Sequence, residues 1–210
     1  DAQESRGLGD VYKRQDIKGE QNMNDYVDLH THTIASGHAY STIEAMIKAA
    51  EQKGIRLFGI TEHAPKMPGT CSELYFNNLR VLERKHGEMY TLFGAELNIM
   101  DMEGHVDLPE RTLKQMDLCV ASMHGPCFHP GTIEENTKTY LNVMKNPYVN
   151  IIGHPDDSYY PVDYRALVEG AKEHHVLLEV NNGSLTPGGF RQNTKENSCK
   201  MLELCKEYKV

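Results

Sequence analysis

Residues 26–32, Tyr-Val-Asp-Leu-His-Thr-His, place two histidines at the end of a short apolar run, and this stretch decides the fold. On a β-strand alternate side chains share a face, so His30 and His32 should project together. Their Cα atoms would then lie about 6.5 Å apart, close enough for two imidazoles to hold one ion. We therefore predict a strand at residues 26–29 that ends on a pair of metal ligands.

Later apolar runs repeat this arrangement, and each ends on a histidine or a glutamate. Successive ends lie about 30 residues apart, which is the length of one strand, one helix and two loops. The carboxyl ends of parallel strands meet at one end of a β/α barrel, where ligands from distant parts of a chain converge. The spacing thus predicts an α/β fold with one shared metal site. Its candidate ligands are His30, His32, His38, His63, Glu96, His124 and His154.

The segments between these ends fit the same repeat. Continuous apolar residues predict buried parallel strands at 55–60, 91–95, 118–123, 149–153 and 176–180. Apolar residues at helical spacing predict helices at 163–174 and 195–209, and another that is capped by Ser41, has Glu44 at the capping-box position and stops at Gly54. One more interval would end near residue 210, so we expect a barrel truncated before its last βα unit.

The donor set indicates which metal suits the site. Six imidazoles and one carboxylate, with no thiolate, favour zinc, although manganese or iron suits the same donors in some geometries. Because a carboxylate can bridge two ions and Glu96 is the only acidic strand end in the set, we predict that two ions share it. Asp28 either orients a ligand histidine or simply occupies a strand end.

The other histidines and one arginine are not predicted as metal ligands. His86, His174 and His175 are predicted at helix C-termini, where a cation is favoured without any ligand role. His105 and His129 lie in loops near the predicted site. His129 and Arg191 are the candidate substrate contacts, since an arginine can hold a phosphate oxygen.

Composition limits the classes of function. With 210 residues, 39% of them hydrophobic and 25% charged, the chain has the character of a globular domain without a membrane span. A net charge of −8 argues against a nucleic-acid partner and favours a small phosphorylated substrate. Five cysteines without a CxxC pair indicate neither a disulfide framework nor a thiolate zinc site, so we expect a cytoplasmic protein. The sequence does not indicate an oligomeric state.

Residues 1–24 differ from the rest because they are polar and show no period. Residues 9–15, Gly-Asp-Val-Tyr-Lys-Arg-Gln, resemble translated adaptor sequence. We expect a disordered or non-native leader at 1–24, followed by one hydrolase domain at 25–210.

Six strings, DLHTHT, GHAYST, ITEHAP, GAELNI, ASMHGP and IIGHPDD, closely resemble the PHP (polymerase and histidinol phosphatase) superfamily. Its small stand-alone YcdX-like phosphatases are the branch most similar to this chain. The resemblance implies a distorted (β/α)7 barrel of the TIM-like type and a trinuclear site, commonly with zinc, that hydrolyses phosphoesters. Carried over by motif, the first ion takes His30, His32 and Glu96, the second takes Glu96, His124 and His154, and the third takes His38 and His63.

The family's final SDxH-like motif has no match in this sequence. The first and third ions would each lose a ligand, and we expect the third to be held poorly.

We therefore expect a phosphoric monoester hydrolase that acts through a metal-bridged hydroxide, with Glu96 and His124 contributing to catalysis by binding metal. One alternative is phosphodiester cleavage, as in the exonuclease-like PHP domains of polymerases. Another is a fragment that binds metal but is inactive.

Overall fold

The computed structural model describes residues 26–210. Its strands are β1 (Tyr26–Thr31), β2 (Ile55–His63), β3 (Lys85–His86), β4 (Met89–Asn98), β5 (Leu118–Ser122), β6 (Ile151–Ile152) and β7 (Leu177–Leu178). Its helices are α1 (Ile43–Gln52), α2 (Glu73–Asn78), α3 (Glu110–Leu113), α4 (Ile133–Val143), α5 (Tyr164–His174) and α6 (Thr194–Tyr208). The leader predicted at residues 1–24 lies outside the described residues. No helix within the described range combines the length and apolarity needed to cross a membrane.

The strands form one curled sheet in the order β1-β2-β4-β5-β6-β7, in which all neighbouring strands are parallel. β1 and β7 stand at opposite ends of this order. Nevertheless His30 Nδ1, in β1, lies 2.8 Å from Glu179 Oε1, just after β7. The sheet therefore curves far enough to bring its two ends together, and the prediction of an α/β barrel-like fold is confirmed.

The connection between His63 and Glu96 is not a single βα unit. It contains the short helix α2, a 3-10 turn at Leu79–Val81 and the strand β3, which pairs antiparallel with the start of β4. His86 lies in β3, so its prediction as a helix C-terminal residue is wrong. His174, by contrast, ends α5, and His175 follows it in the left-handed conformation.

Alternation along β4 and β5 divides the sheet into two faces. Phe93, Ala95 and Leu97 pack into the main core with the helices. Leu92 packs on the opposite face with Leu118, Val120 and Ile151, in a smaller cluster that also includes Leu29. Glu96 lies four residues after Leu92, so this second cluster forms the apolar floor beneath it.

β1 is not a regular strand at the point where it carries His30. Asp28 is in register with Phe58 and Thr31 with Ile60, so β1 has one extra residue between these pairs. Even so, His30 and His32 project together as predicted, with both Nε2 atoms within 3.4 Å of the Glu96 carboxylate. The bulge fits because Gly59 lies opposite: a Cβ there would come within 2.4 Å of Leu29 O.

Local hydrogen bonds set the helix starts. Thr42, not Ser41, caps α1 through its side chain, so Ala45 rather than Glu44 occupies the capping-box position and the predicted box does not form. Asp163 caps α5, with its carboxylate accepting from Arg165 N. Helix α4 carries a complete capping box between Thr132 and Glu135.

We predict that Gly59→Ala lowers the free energy of unfolding by roughly 2 kcal/mol, because the new methyl group would overlap the backbone of the β1 bulge. Gly125→Ala is the control, since the nearest atom to its added Cβ is Tyr160 Oη at 4.0 Å. Urea denaturation of both variants measures the difference. Equal stability of the two would contradict a tight packing of β1 on β2.

Candidate metal centre

The centre of the site is the carboxylate of Glu96, which is 1% exposed at the end of β4. Five imidazoles from β1, β2 and the segments after β1, β5 and β6 surround it. Its Oε1 lies 2.9 Å from His154 Nε2, 3.0 Å from His124 Nε2 and 3.2 Å from His30 Nε2. Its Oε2 lies 2.6 Å from His63 Nδ1 and 3.4 Å from His32 Nε2. Strand ends far apart in sequence thus converge on one carboxylate.

Two buried atoms of this cluster have no hydrogen-bond partner. His63 Nδ1 and Glu96 Oε2 are close together, but their orientation is not that of a hydrogen bond. Leaving such atoms unpaired away from water is costly, whereas a cation would satisfy both. The donor set and these two atoms therefore fit a metal site.

Three groups of side chains place one ligand atom each within 4.8 Å of one another. They are His30, His32 and Glu96; His63, Glu96 and His124; and His32, His38 and His63. A ring nitrogen binds one ion at a time, while a carboxylate can bridge two ions. His32 and His63 each belong to two groups, so each must serve one ion, and Glu96 is the member suited to sharing.

The ring of His30 is oriented by Glu179, which was not among the residues predicted from the sequence. Glu179 Oε1 pairs with His30 Nδ1 at 2.8 Å, which directs Nε2 toward Glu96. Burial alone would lower the pKa of His30, but the carboxylates of Glu96 and Glu179 outweigh it and raise that pKa well above its usual value. Conversely, although burial acts to raise it, the charge of His30 lowers the pKa of Glu179 to about 2. The carboxylate that orients this ring is Glu179 rather than Asp28.

The ring of His124 is oriented by Asn98, which lies two residues after Glu96 on the same face of β4. The Asn98 amide nitrogen donates to Ala64 O at 3.1 Å and to Asp107 Oδ2 at 2.7 Å. Its Oδ1 is therefore the atom left for His124 Nδ1, at 2.7 Å. Because an amide oxygen only accepts, Nδ1 donates to it, and Nε2 is the ring nitrogen that faces Glu96.

Burial keeps two of the ligand histidines neutral. It lowers the pKa of His32 to about 3 and that of His154 to about 4, despite the opposing effect of the Glu96 carboxylate in each case. The positive charge of Arg191 contributes to the low pKa of His154. Neutral imidazole is the form that binds metal.

His154 has an unusual backbone, with φ at 31°. Non-glycine residues rarely adopt this region, and they do so where the surroundings impose it. Here Glu179 Oε2 accepts from His154 N at 2.6 Å. Glu179 therefore positions two ligands, the ring of His30 and the backbone of His154.

The remaining predicted residues lie at the rim or outside the cluster. His38 is exposed, with its ring 5.1 Å from that of His32 and 4.7 Å from that of His63. Arg191 donates to Ser184 Oγ at 3.1 Å and to Asn181 Oδ1 at 3.4 Å. His129 is exposed, and none of the contacts found within residues 26–210 joins it to the cluster.

Sequence reasoning missed several supporting residues: Ser36, Glu62, Asn98, Asp107 and Glu179. Two further glutamates lie at strand ends outside the predicted ligand set: Glu62 lies within β2 and Glu179 follows β7. Asn98 could have been found from its spacing of two residues after Glu96, which places both on one face of a strand.

Comparisons with known proteins agree with this architecture. Residues 28–186 match the model of the PHP domain. A protein of Caldicellulosiruptor saccharolyticus named "Probable phosphatase" is 46% identical over 184 residues, covering 88% of this chain and 76% of its own length. A protein of Clostridium novyi with a similar name is 46% identical over 188 residues, covering 90% and 76%.

A solved structure shares the fold at low sequence identity. The histidinol phosphate phosphatase of Lactococcus lactis, crystallised with zinc, L-histidinol and phosphate, superposes with a TM-score of 0.58 at 16% identity. The match covers 87% of this chain and 81% of that one. The match to the PHP model over residues 28–186, together with the relatives at 46% identity, shows that this chain belongs to the PHP domain family.

Proposed function

We propose that this chain is a metal-dependent phosphatase that hydrolyses small phosphate monoesters. The observation that carries the proposal is the buried carboxylate of Glu96 within 3.4 Å of five histidine nitrogens. Relatives at 46% identity carry the name probable phosphatase, which supports the same reaction class.

Zinc is the metal that the donors favour, with manganese or iron as the alternatives. His30, His32 and Glu96 would hold one ion, and Glu96, His124 and His154 a second. His38 and His63 would hold a third. The related fold from Lactococcus lactis was crystallised with zinc, which supports this choice.

Bound divalent ions would supply Lewis acidity and a more acidic water at neutral pH. The chain's own residues contribute position: both oxygens of Glu96 face imidazoles, and a carboxylate with two oxygens can join two ions. No side chain is assigned as a nucleophile. We infer that Glu96 and His124 act in catalysis through the ions they hold.

Arg191 is the proposed contact for the phosphate of the substrate. It is only partly buried, and its charge reaches His154 strongly enough to lower the pKa of that imidazole. Ser184 and Asn181 hold its Nη1 atom. Its remaining donors suit the oxygens of a phosphate, which guanidinium groups bind in a planar fork. His129 is retained as a second, weaker candidate because it lies in the loop that follows His124.

We predict that Glu96→Gln loses at least one bound ion per chain and lowers phosphatase activity by about 100-fold or more, because the charge shared by two cations is removed while the shape is kept. Elemental analysis of the purified protein measures the ions. Glu173→Gln, on the exposed surface of α5, is the matched control. Unchanged metal content in Glu96→Gln would reject Glu96 as a shared ligand.

We also predict that the chain, supplied with zinc or manganese, cleaves p-nitrophenyl phosphate and leaves bis-p-nitrophenyl phosphate largely intact. Chelation should abolish the reaction and added metal should restore it. Preference for the diester would indicate the phosphodiesterase alternative. Bound metal without cleavage of either ester would indicate a metal-binding but inactive chain.

For Arg191 we predict that substitution by alanine lowers kcat/KM for a phosphate monoester by roughly 10-fold or more, since a charge-assisted hydrogen bond is lost. The change should appear mainly in KM, and metal content should stay constant. Arg165→Ala, which removes an exposed arginine of α5, is the control. An Arg191→Ala variant with the kinetics of the control would remove this residue from the substrate site.

A further inference from the structure

The hydroxyl of Ser36 contacts three groups at once beneath the metal site. It is 1% exposed and lies in the 3-10 turn Ile34–Ser36 that follows β1. Ser36 Oγ is 2.9 Å from His32 Nδ1, 2.5 Å from Glu62 Oε2 and 3.0 Å from His63 N. It therefore joins one candidate ligand ring, the backbone of another ligand and a buried carboxylate.

Glu62 lies next to His63 but on the opposite face of β2, away from the Glu96 carboxylate. It has 0% exposure, and it accepts from both the backbone N–H and the hydroxyl of Thr33 as well as from Ser36. A buried carboxylate needs such donors. Its position is thus fixed by the turn that it holds, and its Oε2 accepts the single hydrogen bond that the Ser36 hydroxyl can donate.

Counting donors determines the proton on His32. A serine hydroxyl has one hydrogen and two lone pairs. The hydrogen goes to Glu62, and one lone pair accepts from His63 N–H. Only the second lone pair is left for His32, so His32 Nδ1 must be the donor. Its other nitrogen, Nε2, then carries a lone pair and faces Glu96 Oε2 at 3.4 Å.

Without this hydroxyl the preferred tautomer of His32 would reverse. Nδ1 would lose its buried acceptor, whereas a proton on Nε2 could be donated to Glu96. That proton would occupy the lone pair needed for a metal ion and would have to leave before binding.

We propose that Ser36, held in turn by Glu62, is a positioning residue that fixes the tautomer of His32 and keeps its Nε2 available as a metal ligand. This inference rests on the metal site of the proposed function. It assigns a role to two residues that touch neither ion nor substrate. It also means that His32 offers a single nitrogen and serves one ion only.

Thr31 provides a matched control on the same segment. Its hydroxyl is also buried, and it donates to Gly59 O at 2.7 Å, with no imidazole as partner. Removing the hydroxyl of Thr31 or of Ser36 deletes one buried group that forms hydrogen bonds with β2. A purely structural role for Ser36 would make the two deletions alike in their effect on metal binding.

The first measurement is the ring ¹⁵N spectrum of the metal-free 210-residue chain, with the His32 signals assigned by their loss in His32→Gln. We expect the proton on Nδ1 in the wild-type chain and in Thr31→Val, and on Nε2 in Ser36→Ala. A wild-type His32 protonated on Nε2 overturns the proposal, and this reading needs no variant to fold. So does an unchanged tautomer in a folded Ser36→Ala.

The second measurement is titration with Co²⁺, followed by the visible spectrum of the bound ion. We expect Ser36→Ala to weaken one site by roughly 10-fold or more, in the range typical of lost outer-shell partners, while Thr31→Val binds as the wild type does. Equal binding by both variants overturns the proposal. Neither measurement uses a phosphate ester, so a failure of the proposed phosphatase reaction remains distinguishable from a failure of this inference.

Discussion

The rest of the site depends on one buried carboxylate, Glu96. A lone carboxylate at 1% exposure would be strongly disfavoured, because it has lost water without gaining fixed donors. Neighbouring imidazoles offset part of this loss: although burial acts to raise the pKa of Glu96, the charges of His30 and His124 lower it well below the usual range. Their convergence is possible only because the strands are parallel and in register. For example, His63 is directly opposite Glu96 in the pairing of β2 with β4.

Around this carboxylate lies a second layer that determines which nitrogen each ring presents. Glu179 engages His30, Ser36 engages His32, and Asn98 engages His124, each at Nδ1. These partners come from three separate segments of the chain. All three rings consequently turn Nε2 inward, whereas His63 presents Nδ1. The protein thus sets ring orientation one histidine at a time, and a change in one support need not disturb the others.

Spacing alone predicted the parallel strands and the convergence of the imidazoles, since both follow from repeated units of similar length. It could not predict the bulge in β1, which depends on the contact of Leu29 with Gly59 across two strands. Nor did spacing predict a role for Glu62, because its partners Thr33 and Ser36 lie in a distant segment of the chain. Glu179 lies within the segment 176–180, which was predicted as a continuous apolar strand. These omissions share a cause: each residue acts through a partner at least 25 positions away.

The charge of the site differs from that of the whole chain, and the difference bears on the substrate. The chain carries a net charge of −8, which would repel a phosphate ester from most of its surface. With metal bound, the imidazole ligands are neutral, so the ligand set would contribute one negative charge, from Glu96. Two divalent ions bound there would leave a local excess of positive charge, to which Arg191 adds. A phosphate dianion would then be attracted to this end of the barrel alone, and a long polyanion would meet repulsion along its remaining length. This charge distribution therefore supports the small phosphate ester proposed as the substrate over a long polyanion.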